Sequence, residues 1–220
     1  MVFPHLNDAL QPLGLAVIGW FDMINGPSEL DGKPAVLIGN RATPMWRAFK
    51  SSDFFDDGAA NPLDRWTKHS ISLIAKELGA TALYPFLDGY DQHWPFQQWA
   101  SAATGLKQSP LGLLIDPEFG LWHAFRAVLV FDEQIDISEL AVRQHPCDTC
   151  VEKPCLTTCP VAAISVGRFD ANVCIDHVMS ERDKTCSSKG CVARNSCPIG
   201  QEHAYSSEQQ AFHMRAFCGG

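Results

Sequence analysis

The sequence CDTCVEKPCLTTCP, residues 147–160, is the most informative stretch of this 220-residue chain. A second run, Cys186-(x4)-Cys191-(x5)-Cys197-Pro198, follows it, and Cys174 lies between the two runs. An iron–sulfur cube takes four thiolates, and in two-cluster ferredoxins the Cys that precedes Pro ligates the other cluster. Because both runs end in Cys-Pro, the spacing predicts two [4Fe–4S] clusters and a protein that moves single electrons.

The crossover rule divides eight of the nine cysteines into two sets of four. We call Cys147, Cys150, Cys155 and Cys197 the first cysteine set. The second cysteine set is Cys159, Cys174, Cys186 and Cys191, and Cys218 is left over. The four-residue and five-residue spacings of the second run are longer than those of bacterial ferredoxins. The second set is therefore defined less sharply than the first.

Two other uses of the cysteines stay open at the level of sequence. Closely spaced Cys residues can hold structural zinc, but zinc gives no reason for the paired Cys-Pro endings. A disulfide framework is typical of small secreted domains, whereas this chain is longer and has an odd number of cysteines. Both alternatives explain less of the pattern than two clusters do.

Charge and hydropathy limit the partners and the location. Residues 1–140 carry 9 Lys or Arg against 17 Asp or Glu, while residues 141–220 carry 8 of each kind. An acidic body does not attract phosphate backbones, so we expect no nucleic-acid partner. The chain shows no signal-peptide pattern and no apolar run of membrane-spanning length. We therefore expect a cytoplasmic protein with no membrane partner.

Before residue 140 the sequence alternates short apolar runs with helical patterns. Runs typical of buried strands occupy 15–20, 35–39, 82–84, 111–116 and 124–131. Pro44 and Pro62 each open a helical pattern, and Gly79 follows the second one in the position typical of a helix end. The alternation predicts an α+β protein whose N-terminal body, residues 1–140, is built on a mixed sheet.

An aromatic segment between about residues 84 and 99 has two interpretations. It contains three prolines or glycines, Pro85, Gly89 and Pro95, which disfavour a regular element there. Its aromatic side chains can form a second layer of the core, or they can line a broad pocket for a flat ligand. The irregular sequence favours the pocket.

Three segments of the body resemble the cobalamin-processing proteins of the cblC type. GLAVIGWF at 14–21 and PAVLIGNRATPMWR at 34–47 are similar to early segments of that family. The strongest resemblance is LGLLIDPEFGLWHAFRAVLV at 111–130, with a strand, a Pro-x-Phe-Gly turn, a Trp and a strand that bears Phe-x-Arg. The same turn followed by a two-cluster segment is also similar to epoxyqueuosine reductase and the reductive dehalogenases.

This resemblance implies a flavin-reductase/nitroreductase-like body at 1–140 and a ferredoxin-like segment with two [4Fe–4S] clusters at 141–220. It implies that the body binds cobalamin and that the main chain at Leu113, Leu114 and Ile115 faces the corrin. Arg126 matches an arginine that the processing family uses near its thiol co-substrate, and its other interpretation is a strand arginine paired with a nearby carboxylate. The remaining residues expected around the corrin are Tyr84, Phe86, Trp122 and Phe125.

One motif of the corrinoid methyltransferases begins here but is incomplete. Asp91-Gln92-His93 resembles the start of their Asp-x-His-x-x-Gly box, but the Gly is missing. His93 is therefore expected to be structural or exposed. Without a histidine ligand from the protein, we expect cobalamin to bind base-off.

The sequence thus predicts an iron–sulfur oxidoreductase, a corrinoid reductase that receives electrons from an external donor such as a ferredoxin, a flavodoxin or a reductase. Three alternatives stay open. A corrinoid-dependent reductase of an organic substrate would need a proton donor, for which Tyr84 and Tyr90 are candidates. A flavin enzyme that binds FMN is compatible with the same fold class. The third alternative is a non-catalytic corrinoid carrier or electron-transfer protein.

Overall fold

The structure is a computed structural model that describes residues 3–87, 93–133, 144–180 and 184–219. It divides into two compact units: Met1–Gly105 with His123–Val142, and Leu106–Trp122 with Arg143–Gly220. We call these the N-terminal and the C-terminal unit. In the described part of the chain, no helix has both the length and the apolar character needed to cross a membrane.

The N-terminal unit is built on a four-stranded sheet of order β1-β2-β4-β3. Its strands are β1 Ala16–Asp22, β2 Pro34–Arg41, β3 Thr81–Leu83 and β4 His123–Val130. Strand β2 is buried along almost its whole length, as expected of a strand paired on both sides. Residues Ala127–Val130 of β4 are also buried, so these two strands form the centre of the core.

Four α-helices complete the described part of the N-terminal unit: α1 Phe3–Leu10, α2 Pro44–Lys50, α3 Pro62–Glu77 and α4 Phe96–Thr104. The predicted helices at Pro44 and Pro62 are confirmed, since Pro fits the first helical turn where no backbone donor is needed. Helix α3 buries Leu63, Trp66 and Ile71 on one face. Helix α4 packs against β1, where Gly19 lies so close to the Ala103 carbonyl that a Cβ would meet it at 2.0 Å.

Two predictions about the sheet differ from the structure. The sheet was expected to be mixed, but every strand pair in its described residues is antiparallel. The run 111–116 was expected to be a strand, but it forms only isolated bridges, Gln108 to Leu114 and Asp116 to Gly120. Pro110 and the positive φ of Gly112, +76°, prevent extended pairing there. The α+β class itself is confirmed.

The C-terminal unit consists of short elements joined by tight turns. A small hairpin, β5 Ile164–Ser165 and β6 Arg168–Phe169, leads into α5 Ala171–Met179. The remaining helices are α6 Thr185–Lys189, α7 Val192–Asn195 and α8 Ser207–Phe217, and α8 packs against α6. Such short elements hold little apolar core by themselves, which is typical of segments that depend on a bound group.

The division of the chain differs in one respect from the predicted domains 1–140 and 141–220. The predicted boundary lies in 134–143, outside the described residues, close to where the C-terminal unit resumes at Arg143. However, Leu106–Trp122 group with the C-terminal unit although they precede strand β4. This segment, which we call the inserted segment, includes most of the stretch that carried the strongest family resemblance.

Candidate functional site

The first cysteine set is assembled from two short 3-10 turns and the end of α7. The turns Pro146–Asp148 and Pro154–Leu156 carry Cys147 and Cys155, and Cys197 follows α7. A hydrogen bond of 3.0 Å from the Thr158 hydroxyl to Ser196 Oγ joins the two cysteine runs. Burial, followed by the neighbouring thiols of Cys197, Cys155 and Cys150, raises the pKa of Cys147. The structure therefore brings these four thiols within electrostatic reach of one another.

A cavity lies between these four cysteines within the C-terminal unit. Its volume is about 20 Å³, and all four thiol-bearing residues line it. Most of the other lining is apolar and includes Leu111, Ile115, Leu121 and Ile199, while among the described residues Lys153 is the one ionisable lining residue besides the cysteines. Four thiols around an apolar space are the donor set that an iron–sulfur cube requires, and a low dielectric there strengthens every charge interaction.

Lys153 stabilises the loop that carries Cys147 and Cys150. Its ammonium group donates hydrogen bonds to the carbonyl oxygens of Cys147, at 2.9 Å, and of Cys150, at 3.0 Å. The residue adopts a left-handed backbone conformation with φ of +41°, which is uncommon for a non-glycine residue. Its positive charge opposes the increase in the pKa of Cys147 and of Cys155 that burial and the neighbouring thiols cause.

The second cysteine set is drawn from four different positions of the C-terminal unit. Cys174 lies on α5, Cys186 on α6, and Cys191 directly precedes α7, while Cys159 ends the first run. Burial, followed by the thiols of Cys191, Cys159 and Cys186, raises the pKa of Cys174 to about 11. The backbone N–H of Ala163 donates to the Cys159 sulfur at 3.4 Å. Metal binding to thiols of this kind releases protons.

Helix α7 is fixed to α8 through paired side-chain amides. Asn195 Nδ2 donates to Gln210 Oε1 at 2.9 Å, and Gln210 Nε2 donates back to Asn195 Oδ1 at 3.1 Å. Asn195 also donates to the carbonyl oxygen of Cys191 at 3.1 Å. Gly190, with φ of +87°, lies against Gln210 so closely that a Cβ would meet its Oε1 at 2.0 Å. These contacts fix the backbone on both sides of Cys191.

Cys218, the cysteine outside both sets, follows α8 and interacts electrostatically with Cys174. Burial raises the pKa of the Cys218 thiol as well. The leftover cysteine therefore lies near the second set.

The inserted segment is held by a turn that the sequence predicted. Asp116 Oδ1 accepts hydrogen bonds from the backbone N–H groups of Glu118, at 2.8 Å, and Phe119, at 3.1 Å. Gly120, with φ of +56°, approaches the Ile199 carbonyl so closely that a Cβ would lie 2.0 Å from it. The turn therefore packs on the segment that follows Cys197.

Four of the residues expected around a corrin belong to the inserted segment. Leu113 is exposed, whereas Leu114 is buried. Ile115 packs with Leu121 and Cys197, and Trp122 is fully buried against Tyr205, with ring centroids 5.5 Å apart. The expected contact between this main chain and a corrin stays a prediction.

The other expected corrin neighbours belong to the N-terminal unit. Tyr84 is buried and stacks on the half-buried Phe86 with centroids 5.2 Å apart, and its hydroxyl oxygen lies 2.8 Å from Ser72 Oγ. Phe125 is half-buried and contacts the ring of His123. Tyr90, the second candidate proton donor, and Asp91 lie outside the described residues, and His93 is exposed.

Part of the aromatic segment belongs to the core rather than to a pocket. Trp99 is fully buried, donates from Nε1 to the Ile24 carbonyl at 2.6 Å, and contacts Phe96 and Phe21. Trp94 stacks on the same ring at 6.2 Å. For these residues the core interpretation describes the structure.

Arg126 lies on β4 and is held by a neighbouring strand. Its Nε donates to Asn40 Oδ1 at 2.9 Å, and Asn40, on β2, is fully buried. Burial raises the pKa of Asp64, at the start of α3, and the positive charge of Arg126 opposes that increase. Arg126 therefore has a carboxylate within electrostatic reach, as its structural interpretation expected, and its catalytic role stays a prediction.

The donor geometry bears on which metal the cysteines could hold. Among the described residues, no three His, Cys, Asp or Glu side chains converge closely enough to share one metal ion. A structural zinc ion needs its ligands gathered at about 2.3 Å from a single centre. In an iron–sulfur cube each thiolate instead binds a different iron, and both uses of the cysteines stay predictions.

Sequence reasoning missed two cations of the C-terminal unit, Lys153 and Arg194. Lys153 lies between Cys150 and Cys155, and Arg194 lies between Cys191 and Cys197. A cation between two cysteines of one run was the signal available in the sequence. Arg194 stacks over the rings of Trp122 and Tyr205, at 4.7 and 5.0 Å from their centroids.

Comparison with known proteins shows a fold that other chains share. The structure is similar to the crystal structure of a C. elegans B12-trafficking protein CblC, a human MMACHC homologue, with a TM-score of 0.58 and 16% identity over 98% of this chain and 91% of that one. It is also similar to an epoxyqueuosine reductase crystallised with a tRNA stem loop, with a TM-score of 0.50 and 12% identity over 96% and 69% of the two chains. No protein-family model and no curated protein sequence matches. Because the sequence identities are only 16% and 12%, the similarity to these two structures shows a shared fold alone.

Proposed function

We propose that this protein is an iron–sulfur corrinoid reductase that binds cobalamin base-off, reduces its cobalt and so allows the upper ligand to leave. Two [4Fe–4S] clusters, one on each cysteine set, supply single electrons when bound. An external donor, a ferredoxin, a flavodoxin or a reductase, would supply these electrons. The substrate is a cobalt(III) corrinoid with an upper ligand; one electron gives the cobalt(II) corrinoid, and the ligand leaves with the electron pair of its bond to cobalt.

One observation carries the proposal: Cys147 interacts electrostatically with the other three cysteines of the first set, and Cys174 with the other three of the second set, on a fold shared with a B12-trafficking protein. A trafficking fold alone favours corrinoid binding, because the solved relative is described by that activity. Thiols in two sets of four add the donors of two electron carriers. The combination favours reduction over transport alone.

The side chains around the first set support the binding of a resident cluster. The cavity lining is mostly apolar, and Lys153 supplies a positive charge beside thiols that must become thiolates. In the N-terminal unit, Arg126 is the charged side chain proposed to act at the corrin. Its bond to the buried Asn40 keeps the guanidinium in one orientation.

Metal analysis after anaerobic purification tests the cluster part of the proposal. Two cubes require about eight iron and eight acid-labile sulfide per chain. Cys155→Ser and Cys191→Ser are expected to remove about half of each, from different sets, whereas Cys218→Ser keeps both. Stoichiometric zinc without sulfide would contradict the proposal.

Spectroscopy with added hydroxocobalamin tests the corrinoid part. We expect tight binding, a shift to the base-off spectrum, and conversion of bound cob(III)alamin to cob(II)alamin by the reduced protein without glutathione. Arg126→Ala is expected to slow this conversion and to leave the iron content unchanged, and Arg47→Ala, an exposed arginine on α2, serves as the control. Binding of FMN in place of cobalamin would favour the flavin alternative.

The fold likeness to an epoxyqueuosine reductase favours a second candidate, the corrinoid-dependent reduction of an organic substrate. Tyr84 is the described candidate for a proton donor, and its hydroxyl is already engaged by Ser72. Turnover of added cobalamin in the absence of any organic substrate would separate the two candidates, because only the corrinoid reductase needs no second substrate.

A further inference from the structure

The inserted segment forms one wall of the cavity between the four cysteines of the first set. Its lining residues are Ser109, Pro110, Leu111, Ile115 and Leu121. Ile115 and Leu121 are buried and pack with Cys197. Leu111 and Cys147, both partly buried, pack against the same group of side chains. The segment and the four cysteines all belong to the C-terminal unit, so the segment lies directly on the proposed ligands of the first cluster.

Two backbones cross at a pair of glycines beside this cavity. Gly120 closes the turn of the inserted segment with φ of +56°, and Gly200, three residues after Cys197, has φ of +67°. A Cβ on Gly200 would lie 2.6 Å from the Gly120 nitrogen, and a Cβ on Gly120 would collide with the Ile199 carbonyl. Only glycine permits so close an approach with a positive φ. The turn and the chain that follows Cys197 are therefore in direct backbone contact.

Hydrogen bonds and a ring contact join the same two parts of the unit. The carbonyl oxygen of Arg194 accepts from the backbone N–H of Cys197 at 3.2 Å, and the Arg194 guanidinium donates to the carbonyl oxygen of Leu121. The rings of Phe119 and His203 lie with centroids 4.5 Å apart. These contacts attach the turn at both of its ends to the residues around Cys197.

The other end of the inserted segment is a closed loop with an exposed tip. The carbonyl oxygen of Leu113 accepts from the Ser109 N–H at 2.8 Å, and the Ile115 N–H donates to the Lys107 carbonyl at 3.1 Å. Leu113 itself is 40% exposed, whereas Ile115 at the base of the loop lines the cavity. The position of the tip therefore depends on side chains that pack on the first cysteine set.

We propose that the inserted segment couples corrinoid binding to the first cluster, so that the corrinoid binds tightly only to protein that carries this cluster. The inference rests on the proposed function, in which the main chain at Leu113, Leu114 and Ile115 faces the corrin. The free energy of binding a metal group to its thiolates also orders the residues around it. Without the first cluster, the segment opens locally, and the corrinoid meets its binding-competent form in only a fraction of the molecules.

The second cysteine set has different surroundings and takes no part in this coupling. Cys174 lies on α5 and Cys186 on α6, and α6 packs against α8. Cys191 follows the junction at which Gly190 lies against Gln210. Loss of the second cluster is therefore expected to leave the inserted segment in place, and this difference between the two sets makes the proposal testable.

The first test compares hydroxocobalamin binding to anaerobically purified full-length Cys155→Ser and Cys191→Ser, each shown by iron analysis to lack one cluster. Coupling between two sites typically changes affinity by a factor of about 5–150. We expect the Kd of Cys155→Ser to rise at least about fivefold over wild type and that of Cys191→Ser to stay unchanged. Equal values in the two variants would overturn the coupling.

Hydrogen exchange measured by mass spectrometry without added corrinoid gives a readout that does not depend on activity. Backbone amides of residues 107–121 are expected to exchange faster in Cys155→Ser than in Cys191→Ser or wild type. Helix α3, in the N-terminal unit, serves as the internal reference and should exchange equally in all three. The same exchange of 107–121 in both variants overturns the ordering role of the first cluster.

A second pair of variants interrupts the crossing and keeps every cysteine. Gly120→Ala places a Cβ against the Ile199 carbonyl, and we expect weaker hydroxocobalamin binding with the iron of the second set retained. Gly167→Ala is the matched control, because Gly167 also has a positive φ but nothing lies within 4 Å of its Cβ position. Unchanged binding in Gly120→Ala overturns the proposal. If Gly120→Ala yields no soluble protein, the two cysteine variants decide.

The outcomes separate this inference from the function on which it rests. A wild-type protein that lacks acid-labile sulfide, or that does not bind hydroxocobalamin, overturns the proposed function and the coupling together. A wild-type protein that carries both clusters and binds hydroxocobalamin, but whose affinity falls equally in Cys155→Ser and Cys191→Ser, overturns the coupling alone.

Discussion

The side chain of Lys153 has two structural roles. Its ammonium group gives two backbone carbonyls of the first cysteine set a partner, and its charge lies beside thiols whose pKa burial has raised. The strained left-handed backbone at this position is compensated by these bonds. A neutral side chain of similar length would keep the strain and lose the compensation.

We therefore expect Lys153→Met to destabilise the protein by about 1–2 kcal/mol, the loss of two partly exposed hydrogen bonds from a charged donor. Urea unfolding of the anaerobically purified protein measures this change. Lys189→Met, which removes an exposed lysine of α6, is the control and should change the free energy of unfolding little. Equal effects of the two substitutions would contradict the bracing role.

A second residue-scale prediction concerns pH. The two terminal nitrogens of the Arg65 guanidinium group, Nη1 and Nη2, donate to the carboxylate of Asp57, each at 2.7 Å. This pairing lowers the pKa of Asp57. Near the lowered pKa the folded state thus binds fewer protons than the unfolded chain. Stability from the pair is present above the ordinary Asp pKa, about 3.9, and is lost as pH falls through the lowered value.

Asp57→Asn should accordingly melt at a lower temperature than wild type at pH 7 and pH 5, by similar margins. The margin is expected to narrow at pH 3, where the wild-type carboxylate begins to take up its proton. Thermal melts followed by circular dichroism measure it. A margin that stays constant from pH 7 to pH 3 would show that the carboxylate charge contributes nothing.

The positions of the short helices α6 and α7 depend on the residues that connect them to neighbouring elements. Helices α6 and α7 have five and four residues, too few to be stable by themselves, so the junction at Gly190 and the amide pair of Asn195 and Gln210 determine where Cys186 and Cys191 lie. The arrangement of the second cysteine set thus depends on contacts made by residues outside the set.

Gly190→Ala should cost about 1–2 kcal/mol for the positive φ and about 1–3 kcal/mol for the clash with Gln210. We expect the variant to lose iron from the second set during gel filtration and to unfold at a lower urea concentration. Gly167→Ala is matched, because Gly167 also has a positive φ, +70°, but nothing lies within 4 Å of its Cβ position. In this control, only the positive φ should lower the free energy of unfolding.

Local patterns predicted some elements well and others poorly, for physical reasons. Helix α3 was predictable, because Pro62, Gly79 and the spacing of its apolar residues are local signals. The run 111–116 has the same apolar character as a strand, but its side chains pack on cysteines far away in sequence. The spacing of the cysteines predicts two sets of four, and this division stays a prediction. The environment of Arg194 depends on Trp122 and Tyr205, which no local pattern connects to it.

The whole molecule is not two consecutive halves, because the inserted segment belongs to the C-terminal unit. A chain truncated after Val142 would keep Ile115 and Leu121, which are 1% and 2% exposed in the full protein, and lose their partners. We expect the truncated chain to bind the dye ANS strongly and to scatter light. The same truncation with Ile115→Ser and Leu121→Ser should do so less, and equal dye binding would contradict this interpretation.

The position of the inserted segment also has a consequence for synthesis on the ribosome. Ile115 and Leu121 emerge before their partner Cys197, so roughly 75 further residues must be translated before that contact can form. At 5–20 residues per second, the nascent chain displays this apolar strip for about 4–15 s. Strand β4, the partner of both β2 and β3, is made during the same interval. The nascent protein therefore exposes a defined apolar segment until Cys197 has been translated.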